Sequence, residues 1–156
     1  MNPKHIEDSS TEQIHMILYR YLNGHRRLFG GALMQWIDEL AGIVAKRHCG
    51  GRVITAAVDS LVFKEPAYLG EMAVMKGCIT HVGKTSMEVR VDTYAEALDG
   101  SRRHINRAYL VMVAMDEAET PMEVPGIELV TDEERQEWEM GEKRYQLRKQ
   151  RRKEQY

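Results

Sequence analysis

Cysteine is scarce in this chain of 156 residues, and several familiar functional patterns are missing altogether. Its two cysteines, Cys49 and Cys78, exclude a disulfide framework and a cysteine-rich zinc site. No uncharged apolar run approaches the roughly 20 residues that span a bilayer. The opening residues, Met1 to Thr11, lack the apolar stretch of a secretory signal. Neither sign of charge prevails: the formal net charge of −2 argues against a whole-domain nucleic-acid binder. The six histidines, His5, His15, His25, His48, His81 and His104, show no metal-type spacing, so no metal site is expected. There is no Gly-x-Ser-x-Gly elbow, no phosphate loop, no dinucleotide fingerprint and no internal repeat. What remains is 43% apolar and 29% charged, an ordinary globular balance. One soluble, cytoplasmic domain is the expectation.

What is present reads as an α+β pattern. Residues 1–10 carry no periodicity and read as a flexible arm. From Thr11 to Leu22 apolar residues alternate as in a first strand, and Asn23-Gly24 and Gly30-Gly31 punctuate a loop. The spacing of apolar residues predicts a long helix over Ala32–His48, with Leu33, Met34, Trp36, Ile37, Leu40, Ala41, Val44 and Ala45 on its inner half. Asp38 falls at the edge of that stripe. The period then switches to two, predicting strands over Arg52–Lys64, Glu71–Val82, Ser86–Glu96 and Ile105–Met115, the last two joined through Asp99-Gly100. Thr131 with Glu134 forms a capping box for a second helix. Its charge runs from acidic to basic, but no wide apolar stripe backs it and Gly141 weakens it.

Three features could carry chemistry. A carboxylate in the second turn of a helix, at the border of the buried face, is placed where acid–base character can be tuned; before any resemblance is considered, Asp38 is more simply explained as a solvent-facing acid favoured by the helix dipole. Gly30-Gly31 could present free N–H groups to an oxyanion, or simply form a tight turn. Asn23 could orient a water or a carbonyl, or be a plain turn former. The basic run from Lys143 to Lys153 reads as a solvated or partner-facing helix more readily than as a nucleic-acid contact.

In combination these residues resemble a known family. Asn23 stands six residues before Phe29-Gly30-Gly31, and Asp38 seven after Gly31. The strand Ile54-Thr55-Ala56-Ala57-Val58-Asp59 and the segment Gly83-Lys84-Thr85-Ser86-Met87-Glu88-Val89 follow. Over residues 11–116 the chain resembles acyl-CoA thioesterases of the hotdog fold, in the branch of the small bacterial and cytosolic brain-type acyl-CoA hydrolases. The resemblance implies a long central helix wrapped by a curved antiparallel sheet. It divides the chain into an arm (1–10), a hotdog domain (11–127) and a charged helical tail (128–156).

It also implies roles. Asn23 and Asp38 would be catalytic, contributed by different protomers across a dimer interface. Gly30 and Gly31 would lie at the thioester carbonyl, with Gly31 N–H polarising it. Lys84, Thr85 and Ser86 would lie near the bound coenzyme A. Asp38 would serve as general base or as attacking carboxylate. No cofactor is implied, since coenzyme A belongs to the substrate. Relatives imply a trimer of dimers acting on acyl-CoA, without membrane or nucleic acid. His25-Arg26 depart from the small or apolar residues of some relatives and alter the charge at the mouth. A non-catalytic acyl-CoA sensor on the same fold is the alternative. A hotdog dehydratase calls for a histidine that the central helix lacks, terminal His48 apart.

Overall fold

The computed structural model describes residues 1–155. Helix α1 runs Gly30–Cys49, slightly beyond the predicted span at both ends. Leu33, Trp36, Ile37, Leu40, Ala41, Val44 and Ala45 are all buried, as the periodicity requires, whereas Met34, read with them, stands exposed at the border of the stripe. Gly50, at φ 70°, ends the helix in the left-handed conformation that a glycine adopts without steric cost, and its N–H donates to the Lys46 carbonyl.

Around α1 lie strands β2 (Thr11–Met16), β3 (Arg52–Phe63), β4 (Met72–Val82), β5 (Ser86–Glu96) and β6 (Arg102–Met115), with β1 (Lys4–His5) outside this group. They form one antiparallel sheet in the order β2-β4-β5-β6-β3, open at both edges. Helix α1 packs against all five strands. The face that receives it is the apolar half of each alternation: Ala73, Met75 and Ile79 of β4, Met87, Val89 and Val91 of β5, Ala108, Leu110 and Met112 of β6. Gly77 marks the closest seat, because a Cβ there would stand 2.9 Å from Val44 Cγ2. This is the hotdog fold.

Helix α2 (Asp132–Lys153) covers the opposite face of the sheet, contacting β4. Thr131 accepts from the Glu134 N–H and the Glu134 carboxylate accepts from the Thr131 N–H, so the capping box forms as read. Its docking is polar. Gly141 is its only buried residue among those described, and a Cβ there would stand 2.7 Å from His81 Cβ. The glycine that weakens the helix in isolation thus permits its close approach to β4. Glu88, on the polar side of the β5 alternation, is buried beneath Arg144 and Arg148 of α2, while Asp92 on the same side is covered by Arg90, His104 and Arg107.

Two expectations need correction. The arm 1–10 is not loose: β1 pairs in parallel with β7 (Ile127–Glu128), and Ser9 is buried. A two-residue pairing with a partner some 120 positions away leaves no local period to read. The first strand stops at Met16 rather than Leu22, because its partner β4 begins opposite it at Met72. The chain then turns through a short 3-10 segment, Tyr19–Tyr21.

Candidate active site

Asp38 projects from the exposed side of α1, one turn beyond Met34. Its Oδ1 accepts a hydrogen bond of 2.6 Å from Thr55 Oγ1 on β3. Both residues line a cleft of about 460 Å³ together with Gln13, Glu39, Gly42, Ile43, Lys46, Val53 and Met112. The cleft runs over the stripe of α1 left between the two sheet edges. Thr55 was not singled out from the sequence as a site residue. The signal available was its place on the inward half of the β3 alternation, two residues from Val53.

The start of α1 is uncapped by any side chain. Leu33 N–H makes the first intrahelical bond, to Phe29 O at 3.2 Å. The N–H groups of Gly30, Gly31 and Ala32 have no protein acceptor among the described residues, as expected of a first helical turn. Two half-exposed aromatic rings bracket them. A Cβ on Gly31 would stand 2.5 Å from Phe29 Cε1, and one on Gly30 3.4 Å from Phe63 Cζ. Small residues here keep the backbone N–H groups reachable.

Asn23 closes the preceding loop. Its Oδ1 accepts from the N–H groups of His25 (2.8 Å) and Arg27 (3.2 Å), and its own N–H donates to Arg27 O at 2.8 Å. The turn-former reading therefore holds for the side-chain oxygen, while the amide nitrogen has no partner among the described residues. Within one chain Asn23 shares neither a hydrogen bond nor a cavity with Asp38.

Lys84, Thr85 and Ser86 make the β4–β5 turn, closed by Gly83 N–H to Ser86 O at 2.9 Å. Bonds from Ala114 N–H to Thr85 O and from Val124 N–H to Lys84 O anchor it. The three residues line a second cavity, about 400 Å³, whose other walls are Ala56 to Asp59 of β3, Val111 and Val113 of β6, and Tyr145, Arg148, Arg151 and Arg152 of α2. The cationic wall comes from the tail, to which the sequence assigned no role. Strand β3 borders both cavities. Its register slips between Thr55 and Ala57 and again between Val58 and Ser60, and such bulges re-aim side chains.

Cys49 and Cys78 are free thiols, and burial pushes the Cys78 thiol up, keeping it protonated. Among the described residues no cluster of His, Cys, Asp or Glu could hold a metal ion. No helix is long and apolar enough to cross a membrane.

This arrangement has close parallels. The family model "Thioesterase superfamily" matches residues 25–99. A crystal structure of an apo-hexameric acyl-CoA thioesterase superposes with a TM-score of 0.93 at 36% identity, covering 97% of each chain. The chain belongs to the thioesterase superfamily. An acyl-CoA hydrolase from Staphylococcus aureus, solved with butyryl coenzyme A and coenzyme A, superposes with a TM-score of 0.91 at 31% identity over 97% of this chain and 93% of that one. Variants of that hydrolase with one Asp, one Asn or one Thr replaced by Ala have also been solved. Among longer members, the mouse cytosolic acyl coenzyme A thioester hydrolase is 31% identical over 146 residues, 92% of this chain and 38% of that protein. The chain spans only 23% of mouse acyl-coenzyme A thioesterase 11 and 66% of the uncharacterized acyl-CoA thioester hydrolase YkhA of Bacillus subtilis.

Proposed function

We propose that this protein hydrolyses acyl-CoA thioesters to a free fatty acid and coenzyme A, at sites built between two protomers. The observation that carries the reading is the Thr55-held carboxylate of Asp38 on an open helix face, in a chain whose uncapped helix start offers free N–H groups. Asp38 stands seven residues from Gly31, about 10 Å along the helix axis. One thioester carbonyl cannot be reached by both groups of the same helix. A second copy supplies the missing half: Asp38 of one protomer with Asn23 and the Gly30-Gly31 N–H groups of its partner. Strand β3 fits this use. It is an unpaired edge of 12 residues, and Ile54, Val58, Val62 and Phe63 are each about half exposed. Such an edge is a pairing surface. The hexameric thioesterase of the same fold supports extending the dimer to a trimer of dimers.

The chemistry follows from the parts. Asp38 takes a proton from water as the oxygen attacks the thioester carbon, and Thr55 leaves its second oxygen free for that task. The helix start stabilises charge on the carbonyl oxygen, where one good donor is worth about 3 kcal/mol. The Asn23 amide nitrogen orients water or carbonyl. The C–S bond then breaks, and the proton passes to the leaving thiolate. A thioester is activated enough to need no cofactor. Lys84, Thr85 and Ser86, with Arg151 and Arg152, take the phosphate-bearing end of coenzyme A; a cavity walled by cations suits that anion. The mouse cytosolic relative supports a cytoplasmic setting.

Thiol release from short to long acyl-CoAs, by wild type and Asp38→Ala, tests this. Turnover that collapses in the variant bears the reading out. Saturable binding without turnover in the wild type overturns it in favour of a sensor.

A further inference from the structure

We propose that Asp59 is a positioning residue for substrate recognition, fixing the last turns of α2 so that Arg151 and Arg152 wall the cavity at the Lys84–Ser86 turn. The proposal deepens the acyl-CoA reading above and rests on it. Asp59 is the extra residue at the second β3 bulge, where pairing passes from Val58 opposite Leu110 to Ser60 opposite Tyr109. A bulged residue escapes the strict in–out alternation and can be aimed elsewhere. Here it is aimed at α2. Its carboxylate is almost fully covered, 6% exposed, with Oδ2 accepting from Arg148 at 3.0 Å and Oδ1 from Arg151 at 2.7 Å.

The tether matters because α2 has so little else there. Its buried contact with the sheet is at Gly141. Ten residues separate Gly141 from Arg151, about 15 Å of helix. Over that length the described anchors are, at its near end, the Glu142 bond and the Tyr145 ring contact to His81, then the Arg144 and Arg148 bonds to Glu88 and the Asp59 pair. The Asp59 pair is the last of them. Arg151 is half exposed and bonds Asp59 through one nitrogen, leaving the rest of its fork of five donors for an anion. Arg152 lines the same cavity with no ion pair among the described residues. Asp59 is the one carboxylate in the lining; Lys84 pairs with Glu123 and Arg148 is shared with Glu88, so the excess positive charge of the cavity rests on Arg151 and Arg152. Loss of the Asp59 charge would free the helix end, disperse those cations and weaken the grip on a phosphate-bearing substrate.

The test compares butyryl-CoA with butyryl-pantetheine, which carries the thioester but no phosphate, as substrates of the full chain. For Asp59→Asn the KM for the CoA ester should rise about tenfold relative to that for the pantetheine ester, a difference of one decade in affinity. Asp59→Glu should recover part of the discrimination. Arg151→Gln, a change at a half-exposed side chain, should reproduce the same selective rise without endangering the fold. A general structural role would move both esters together. Equal changes for the two esters, or none in either variant, with a wild type that hydrolyses the CoA ester, would overturn the positioning role alone. A wild type that hydrolyses neither ester, nor any acyl-CoA of the short-to-long series, would overturn the acyl-CoA reading and this inference with it.

Discussion

Thr55 Oγ1 donates to Asp38 Oδ1 across the gap between edge strand β3 and helix α1, at 2.6 Å. The bond sets the rotamer of an otherwise exposed carboxylate and leaves Oδ2 free. Asp38→Ala removes the proposed base without touching the core, so turnover should fall by about 10² to 10⁴ while the unfolding midpoint barely moves. Thr55→Val keeps shape and loses the hydroxyl. Its kcat should fall by less than that of Asp38→Ala, with KM little changed, because it releases the carboxylate rather than deleting it. Steady-state kinetics beside thermal unfolding check both. A Thr55→Val protein with wild-type kcat would show that the bond does not order the base.

Asn23 carries two roles that one variant can part. Its Oδ1 holds the loop by accepting from His25 and Arg27 N–H groups, while its amide nitrogen is free for substrate or water. Asn23→Asp retains the acceptor and loses the donor. It should fold as stably as wild type yet lose most of its kcat. Asn23→Ala should lose both activity and about 1 kcal/mol of stability, the worth of a local side-chain bond to backbone. Equal activity in wild type and Asn23→Asp would leave only the turn.

The central helix was legible because Leu33 to Ala45 repeat their burial within one element, and β5 because Met87 to Ala95 alternate without interruption. What escaped is non-local. The pairing of Lys4–His5 with Ile127–Glu128 depends on two residues at each end of the chain. The docking of α2 depends on Glu88, a residue the alternation places with the solvated face, meeting Arg144 and Arg148 some 60 positions later. A hydrophobic pattern cannot announce a helix that binds through charge. At the site, Asp38 and Gly31 were read as one motif since they are close in sequence; the helix rise separates them. Thr55 needed the strand's register against α1, which no spacing contains.

Gly31 has a steric duty as well as a chemical one. A Cβ at this position would overlap the Phe29 ring at 2.5 Å. Gly31→Ala should therefore displace the ring over the helix start and reduce kcat/KM by about tenfold or more, by narrowing access to the N–H groups. Phe29 is half exposed, so the displacement should cost little stability. Adding Phe29→Ala to Gly31→Ala should return part of the activity, measured as kcat/KM. If the double variant is no better than Gly31→Ala, the ring is not the obstacle.

His48 makes stability depend on pH near neutrality. Its Nε2 lies 2.8 Å from Pro125 O, and its buried Nδ1 has no partner. The neutral ring, donating through Nε2, satisfies that geometry. Burial holds the histidine below its ordinary value of 6.5 despite the carbonyl. The unfolded chain therefore binds the proton first, and stability drops as pH falls through 6.5. His48→Gln should flatten that part of the curve, seen as a smaller change in urea midpoint between pH 7 and pH 5. An unaltered slope would mean that the ring does not titrate with folding.

Glu88 gives a second, lower window. Burial alone would push its carboxyl up, but hydrogen bonds from Arg144, Thr80 and Arg148 outweigh it and hold the group below the ordinary 4.5. A carboxylate with a depressed value stabilises the fold fully above its unfolded value, and the contribution disappears as pH falls through the folded one. Glu88→Gln leaves Arg144 with Glu137 and Arg148 with Asp59, so its cost should fall below the about 3 to 5 kcal/mol of breaking an isolated buried pair. The gap in unfolding free energy between wild type and Glu88→Gln should be largest near pH 7 and shrink as the pH falls below the ordinary carboxylate value of 4.5. The loss should fall on α2 first, since Glu88 is its fastening to β5; hydrogen exchange would show its amides opening ahead of the α1 core. A gap that stays constant down to acid pH would mean that Glu88 is held by packing rather than by charge.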